Sequence, residues 1–475
     1  DEQLYCEAMT DNAYTKQPND FTQNIGNGSY STADSYVKQV WDGRYTGIRM
    51  CNQLLENIDR VPDLDPELKK RYIGEAKVLR AYNYYELYTK FGDVPYTTKV
   101  LSIKESMSIA RTDRATVIAN MLADLDEVIN GNYLPASYDA DNKGRITRWA
   151  AMAIKAKIYL FEGNWTQVKN ITSTIMTEGG FRLFGSYAGL FEIANEYNSE
   201  VILDAQYRPT SREHQMMYAF LPPSLGGYSQ LSPLQELVDS YIMLDGKTIR
   251  ETGTSFDESN PYANRDPRLK ATVMYTGNSY TLADGTEVVI NCEKGEGKDG
   301  YGVGSDCSAT GYYIKKYWDN TYRATLYSGL NPILIRYADI LLMNAEALAE
   351  LGELDKMAWD ATIKPIRDRA GFTLASAVEF PEGASKDKLI EIVRNERRSE
   401  LALEGHRHKD IIRWRIADDV LNGWCHGLKT NEVVGTDNGY VRVENRAFNA
   451  NKHYLWPIPQ AERDLNGNLV QNPNW

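Results

Sequence analysis

The chain has no apolar run approaching the roughly 18 residues that a helix needs to cross a bilayer, so its body is expected to be soluble. Cysteine is scarce, five in 475 residues, and Cys6, Cys51, Cys292, Cys307 and Cys425 never fall into a CxxC spacing. That gives no signal for zinc or dithiol redox chemistry. Cys292 and Cys307 flank the Gly-rich segment Glu293–Asp306, where a local disulfide and two free thiols are both open readings, and Cys51 reads as a small buried hydrophobe of a helix. Basic residues are outnumbered, 53 against 65 acidic, and the net charge of -12 argues against a nucleic-acid partner, which needs clustered Lys and Arg on phosphates. Histidine is as scarce as cysteine, five residues, and His406 and His408, two apart, share no helix face and lack a third ligand.

Catalytic signatures are missing as well. There is no GxSxG and no HExxH. Gly295–Gly300 matches GxGxxG in letters, but Gly and Ser follow where a helix would have to receive a phosphate. Asp139–Gly144 opens like a calcium loop, yet Lys143 and Ala150 stand where ligands are required, so a plain turn is expected. Ser385–Lys388 satisfies SxxK only because a helix starts there. None of the many Asp and Glu residues stands out in an apolar setting that would raise its pKa, as glycoside hydrolysis requires. The expectation is no catalytic residue, no metal and no cofactor.

Tyrosine is what the chain has in excess, 32 against 11 Phe, with 9 Trp besides. A core gains nothing from a phenol that must find a partner, whereas a wet binding face uses the ring and the hydroxyl together. Tyr82, Tyr84, Tyr85 and Tyr88, at helical spacing, are assigned to packing between helices, and Trp41 to the core.

Helical pairs dominate the pattern. Asp65-Pro66-Glu67 gives an N-cap, a proline at N1 and an acid in the first turn, and one face then stays apolar until Gly92. A second pair starts near Arg148, turns at Gly163-Asn164 and returns from Trp165; a third runs from Leu334 to Gly352 and resumes at Leu354. The recurrence resembles tetratricopeptide units, whose faces are buried by stacking. The fold class expected is mainly α, a helical-hairpin scaffold with long irregular loops and a few short strands, as one domain over 1–475. Helical pairs are placed at about 33–91, 112–178, 332–370 and 386–416. Irregular, ligand-facing regions are placed at about 10–34 and 181–331, with strands at Glu287–Ile290 and Tyr312–Tyr317 and a short helix started by a capping box at Ser232–Gln235. The alternating charges of Arg394–Glu404 are read as a structural ion-pair network.

Four motifs, in order and spacing, carry a family resemblance: Arg80–Leu87 running into Phe91-Gly92-Asp93-Val94-Pro95-Tyr96; Ile335–Ala347; Asn395–Arg407; and Tyr454–Pro459 closing on Asn472-Pro473-Asn474-Trp475, with Asp368–Gly371 in addition. From about Asp11 to Trp475 the chain resembles the RagB/SusD family of outer-membrane nutrient-binding lipoproteins. The resemblance implies a tetratricopeptide-like scaffold carrying an irregular ligand surface. It also implies a surface lipoprotein of a Bacteroidetes-type bacterium that captures glycan for polysaccharide utilisation and hands it to a SusC-like TonB-dependent β-barrel transporter. Contact with the membrane would be through an N-terminal lipid anchor only; neither the lipidated Cys nor a lipobox before Cys6 is present in the sequence.

Such capture needs no bond making, because sugar C–H faces stack on Tyr and Trp and hydroxyls bind Asp, Asn and Arg. Composition and placement nominate Asp11, Asn12, Tyr14, Asn27 and Tyr30 in the first irregular region, then Tyr228 beside Gly226-Gly227, and Tyr280, Tyr301, Trp318 and Tyr322 in the second. Two other classes stay open: a glycoside hydrolase on an α-helical scaffold, and a helical-repeat adaptor binding a peptide in its groove.

Overall fold

The computed structural model describes residues 2–16, 22–321 and 326–475, and is mainly helical with five small antiparallel sheets. No helix among the described residues is long and apolar enough to cross a membrane. The chain divides into two compact units, one of residues 28–179 with 448–475, the other of residues 1–27 with 180–447.

The first unit is a run of helices, Ser35–Asn57, Pro66–Phe91, Arg114–Asn130, Arg148–Phe161 and Trp165–Glu178, each packed on the next. The capping residues set where each begins. Asp34, Asp65, Asp113, Thr147 and Asn164 accept hydrogen bonds from backbone N–H groups of the first turns, with Pro66 at N1 behind Asp65. Tyr84, Tyr85 and Tyr88 are buried as expected, and Trp41 meets Phe91 edge-on at 5.0 Å. The C-terminal motif closes this unit. Trp456 lies 5.8 Å from Phe91, its N–H donates to Lys90 O at 2.7 Å, and the Asn472 amide donates to Phe91 O and Trp456 O. Gly92 turns the chain at φ 71°, with the Leu455 side chain against the place where a Cβ would stand.

In the second unit the Tyr337–Leu351 helix packs on Lys386–Glu400, with Ile363–Ala370 beside both. Ile333–Arg336 is a strand paired with Val201–Asp204, so Leu334 precedes the helix that the sequence places there. Ala13–Thr15 pairs with Leu231–Pro233, and Tyr14 stands opposite Ser232. That pairing overturns the capping box: Ser232 is in the strand, its hydroxyl receives the Ser308 hydroxyl at 3.0 Å, and the short helix begins at Gln235 behind an uncapping Leu234. The other expected strands shrink to Glu287–Val289 and Tyr313–Ile314, the latter limited by its two-residue partner Val273-Met274, and Tyr317 at φ 67° lies outside the extended region. Cys292 and Cys307 are free thiols, so the loop between them is held by hydrogen bonds and packing instead.

The charged run is a buried network. Arg336 bonds Glu200, Glu400 and Glu404 at 2.6–2.8 Å; Arg268 bonds Asp266, Glu396 and Glu400; Arg397 bonds Asp339 and Asp410. These side chains are almost wholly out of water. Burial alone would push Glu400 up, but Arg369, Arg336 and Arg268 outweigh it and hold the carboxyl well below the usual range.

Candidate functional site

A glycan surface needs rings that reach solvent and are held still, and in the second unit Tyr228 meets both conditions, laid against the half-buried Tyr218. Tyr218, on the Met216–Phe220 helix, and Tyr228 lie with ring centroids 4.3 Å apart and planes 33° from parallel, and Tyr228 is 39% exposed. The hydrogen bond between the two phenols pushes the Tyr218 hydroxyl up.

The turn before Tyr228 explains why it stays there. Pro222-Pro223 starts a 3-10 turn, Gly226 reverses it at φ 82°, and Gly227 passes so close to Leu221 that a Cβ would stand 2.2 Å from its carbonyl oxygen. Only glycine passes there. Tyr228 N–H then donates to Tyr218 O at 3.2 Å and Ser229 N–H to Leu221 O at 3.2 Å, tying both ring-bearing segments together. Polar groups flank the pair. Asp306, exposed at the end of the Gly-rich loop, acts electrostatically on both Tyr218 and Lys16, and Lys16 Nζ donates to Ser305 O at 2.6 Å and Cys307 O at 2.7 Å. Asp299 fixes the other end of that loop by accepting from Ser224 N–H at 2.8 Å.

The remaining nominated residues are dispersed. Trp318 and Tyr301 are part-buried against the core, and the Trp318 indole donates to Thr281 O at 2.8 Å. Tyr14 and Asn27 come together around Glu444, with Gln23 donating to the same carboxylate. Tyr280 is fully buried and donates to Ile314 O, so it is a core residue and cannot stack on a ligand. Tyr30 is buried in the first unit between His453 and Trp475. Asp11 and Asn12 are buried too, bound by Arg398 and Arg407; burial would push the Asp11 carboxyl up, but the two guanidiniums hold it far below the ordinary range. Tyr322 lies outside the described residues. Tyr218, Lys16 and Asp306 were not nominated, although Tyr218 and Tyr228 flanking a Pro-Pro…Gly-Gly turn is a pattern that the sequence displays.

Among the described residues, three carboxylates do have raised pKa values that the sequence did not reveal: Glu7, Asp204 and Glu196, the last lifted by burial while accepting from Asn331 N–H at 2.7 Å. Burial pushes Glu7 up to about 7 and Asp204 up to about 6. Both are held by hydrogen bonds inside the fold, Glu7 by Asn12 and the Gly405 N–H, Asp204 by Gln206 and Asn331. No group of three or more His, Cys, Asp or Glu among the described residues is arranged to hold a metal ion.

Residues 190–475 match the family model described as SusD family, well over half of the chain, and residues 1–160 match one described as starch-binding associating with outer membrane. The chain belongs to the SusD family. Among curated relatives, SusD-like protein P25 of Formosa agariphila is 27% identical over 461 residues, covering 92% of this chain and 78% of the relative. A SusD-like carbohydrate binding protein from Bacteroides fragilis, known as a crystal structure, superposes with a TM-score of 0.88 at 30% identity, covering 98% of this chain and 93% of that one. A laminarin binding SusD-like protein superposes with a TM-score of 0.74 at 25% identity, covering 99% and 93%.

Proposed function

We propose that this SusD-family protein binds an extracellular glycan without cleaving it, stacking sugar rings on Tyr218 and Tyr228, and delivers it to a SusC-like TonB-dependent barrel in the outer membrane. The observation that carries the reading is the exposed Tyr228 ring, held against the half-buried Tyr218 by a turn that only glycine permits, with Asp306 and Lys16 nearby for hydroxyls. The carbohydrate-binding and laminarin-binding relatives favour the same ligand class. Outer-membrane association follows the description of the family model that matches residues 1–160. Trp318 and Tyr301, part-buried beside the same loops, are proposed as peripheral contacts, and Tyr14 and Asn27 around Glu444 as a further polar contact.

Each stacked ring contributes about 1 kcal/mol, so modest affinity is expected, which suits a protein that must release its cargo. The test is affinity electrophoresis against a panel of polysaccharides that includes laminarin, with new reducing ends assayed in parallel. Retardation by one glycan, weakened about fivefold in Tyr228→Ala and further in the double variant with Tyr218→Ala, supports the reading. Retardation unchanged in the double variant removes the tyrosines from the site, and release of reducing ends makes the protein a hydrolase. Co-purification with a SusC-like barrel from outer membranes tests the delivery step.

A further inference from the structure

Trp424 is a large ring that the fold leaves 44% exposed, on the Asn422–Lys429 strand of the C-terminal hairpin. It lies two residues before His426, so the two side chains leave the same face of the strand about 7 Å apart. His426 lines a cleft of about 540 Å³ between this hairpin, the Gln235–Ser240 helix and the Lys386–Glu400 helix, within the roughly 300–1,000 Å³ of small-ligand sites. Arg442, which stands opposite His426 in the register, ties the ring to the cleft. Its guanidinium lies 5.5 Å from the centre of the Trp424 ring, and its Nε donates at 2.9 Å to Asp437 Oδ1 on the cleft wall. An aromatic ring at the surface, braced by a cation, is a stacking platform. The half-buried Tyr440 ring, also on the cleft wall, has the Lys429 ammonium 5.5 Å from its centre.

The charges of the cleft are matched among themselves. Asp239 accepts from Arg250 at 2.9 Å, and Asp437 from Arg442. His426 stands between two acids, with Nδ1 2.8 Å from Glu236 Oε1 and Nε2 3.0 Å from Asp437 Oδ2. Arg398, which faces Glu236, is already bound to Asp11 and Asn12. A ligand carrying net charge of either sign would have to break one of these pairs or stand against a like charge. Uncharged groups remain open on the same walls among the described residues. Asn395 donates Nδ2 to Ser240 O at 3.0 Å and keeps its carbonyl oxygen, and Tyr440 keeps its hydroxyl. Such a wall offers donors and acceptors side by side, as the hydroxyls of a neutral sugar require.

We propose that Trp424 and this cleft form a second glycan subsite, for an uncharged oligosaccharide: one sugar ring stacks on Trp424 while hydroxyls of the neighbouring residue bond Asn395 and Tyr440. The subsite takes its ligand class from the glycan-binding reading above, but none of its contacts involves Tyr218 or Tyr228. An acidic sugar is disfavoured there, because Glu236 and Asp437 face the same space and every guanidinium that could answer a carboxylate is already paired.

Fluorine NMR of the intact protein labelled with fluorotryptophan tests the assignment, with the Trp424 resonance identified by its loss in Trp424→Phe. The probes are neutral hexaoses of glucan, mannan, xylan and galactan type, with trigalacturonate as the charged control. Wild type and the Tyr218→Ala, Tyr228→Ala double variant are titrated in parallel. The expected result is that one neutral hexaose moves the Trp424 resonance saturably, with the same affinity in both proteins, and that trigalacturonate binds at least fivefold more weakly. Tyr440→Phe and Asn395→Ala, which break no ion pair, should each weaken the hexaose threefold or more. A Trp424 resonance that no neutral hexaose moves at millimolar concentration overturns the proposal. So does equal binding of trigalacturonate, indifference to both Tyr440→Phe and Asn395→Ala, or loss of the shift in the double variant. Gel retardation lost in the double variant while the Trp424 shift persists bears on the tyrosine surface alone, and a silent Trp424 with retardation intact bears on this subsite alone.

Discussion

Glu400→Gln is the sharpest test of how the SusD scaffold is held. The substitution keeps the shape of the side chain and removes one charge, yet that charge answers three guanidiniums: Oε1 accepts from Arg336 at 2.6 Å and from Arg369, Oε2 from Arg268 at 2.9 Å. All four side chains are at most 4% exposed, so no water replaces the lost interaction. Breaking a buried pair by removing one partner costs about 3–5 kcal/mol, a large part of the roughly 5–15 kcal/mol by which domains are stable. Urea unfolding followed by tryptophan fluorescence at pH 7 should show a midpoint lower by about 1 M or more with an unchanged slope. The sign of the pH dependence is fixed too. Because the folded carboxyl lies below its ordinary 4.5, its contribution is fully present above that value and is lost as pH falls toward the folded one. Wild type and variant should therefore converge in acid. A difference under about 1 kcal/mol at pH 7, or a gap that widens on acidification, would refute the reasoning.

Glu7 carries the opposite sign: with its folded pKa raised to about 7, stability should fall between pH 4.5 and 7 by about 3 kcal/mol, and Glu7→Gln should flatten that slope in urea titrations across the range. Gly227→Ala places a Cβ 2.2 Å from Leu221 O, so it should lower the urea midpoint by the equivalent of about 1–3 kcal/mol and weaken glycan retardation at least as much as Tyr228→Ala in the same gel. Trp456→Ala empties a site that is 2% exposed between Tyr36, Phe91 and Tyr30, and should cost about 3–5 kcal/mol, seen as faster amide exchange in the Pro66–Phe91 helix.

Sequence periodicity placed the helices well because each is written locally: a cap, an apolar stripe and a stop. Asp65-Pro66 and Gly92 bound their helix to the residue, and Trp41 was assigned to the core from its neighbours alone. Long-range pairing was not legible. Ser232 looks like a cap in isolation, and only Ala13–Thr15, more than 200 residues away, makes it a strand residue. The same limit explains the site. Tyr280 and Tyr228 sit in equally irregular sequence, but Tyr280 lies in a hairpin strand opposite Val288 and is fully buried, while Tyr228 follows two glycines that hold it outward. Asp11 and Asn12 have the composition of a binding site, yet their partners, Arg398 and Arg407, come from the far end of the chain.

Those distant ion pairs carry a structural consequence for recognition. The irregular part of the second unit has only short ladders, so backbone pairing alone cannot fix where its loops lie. Lys316 supplies a specific anchor: although burial pushes it down to about 8, its ammonium reaches Tyr187 OH at 3.1 Å, Ala402 O at 2.8 Å and Glu404 Oε1 at 2.7 Å. Arg336 binds the same Glu404 from the strand that leads into the Tyr337–Leu351 helix. A hydrophobic substitute could bury as much area, but apolar contacts slide, whereas a charge with three directed bonds has one position that satisfies it. The ring pair beside its glycine turn needs placement to within a fraction of an ångström. In this chain that placement comes from buried charge, and the scaffold tolerates the desolvation cost because the surface it presents has to be in one place.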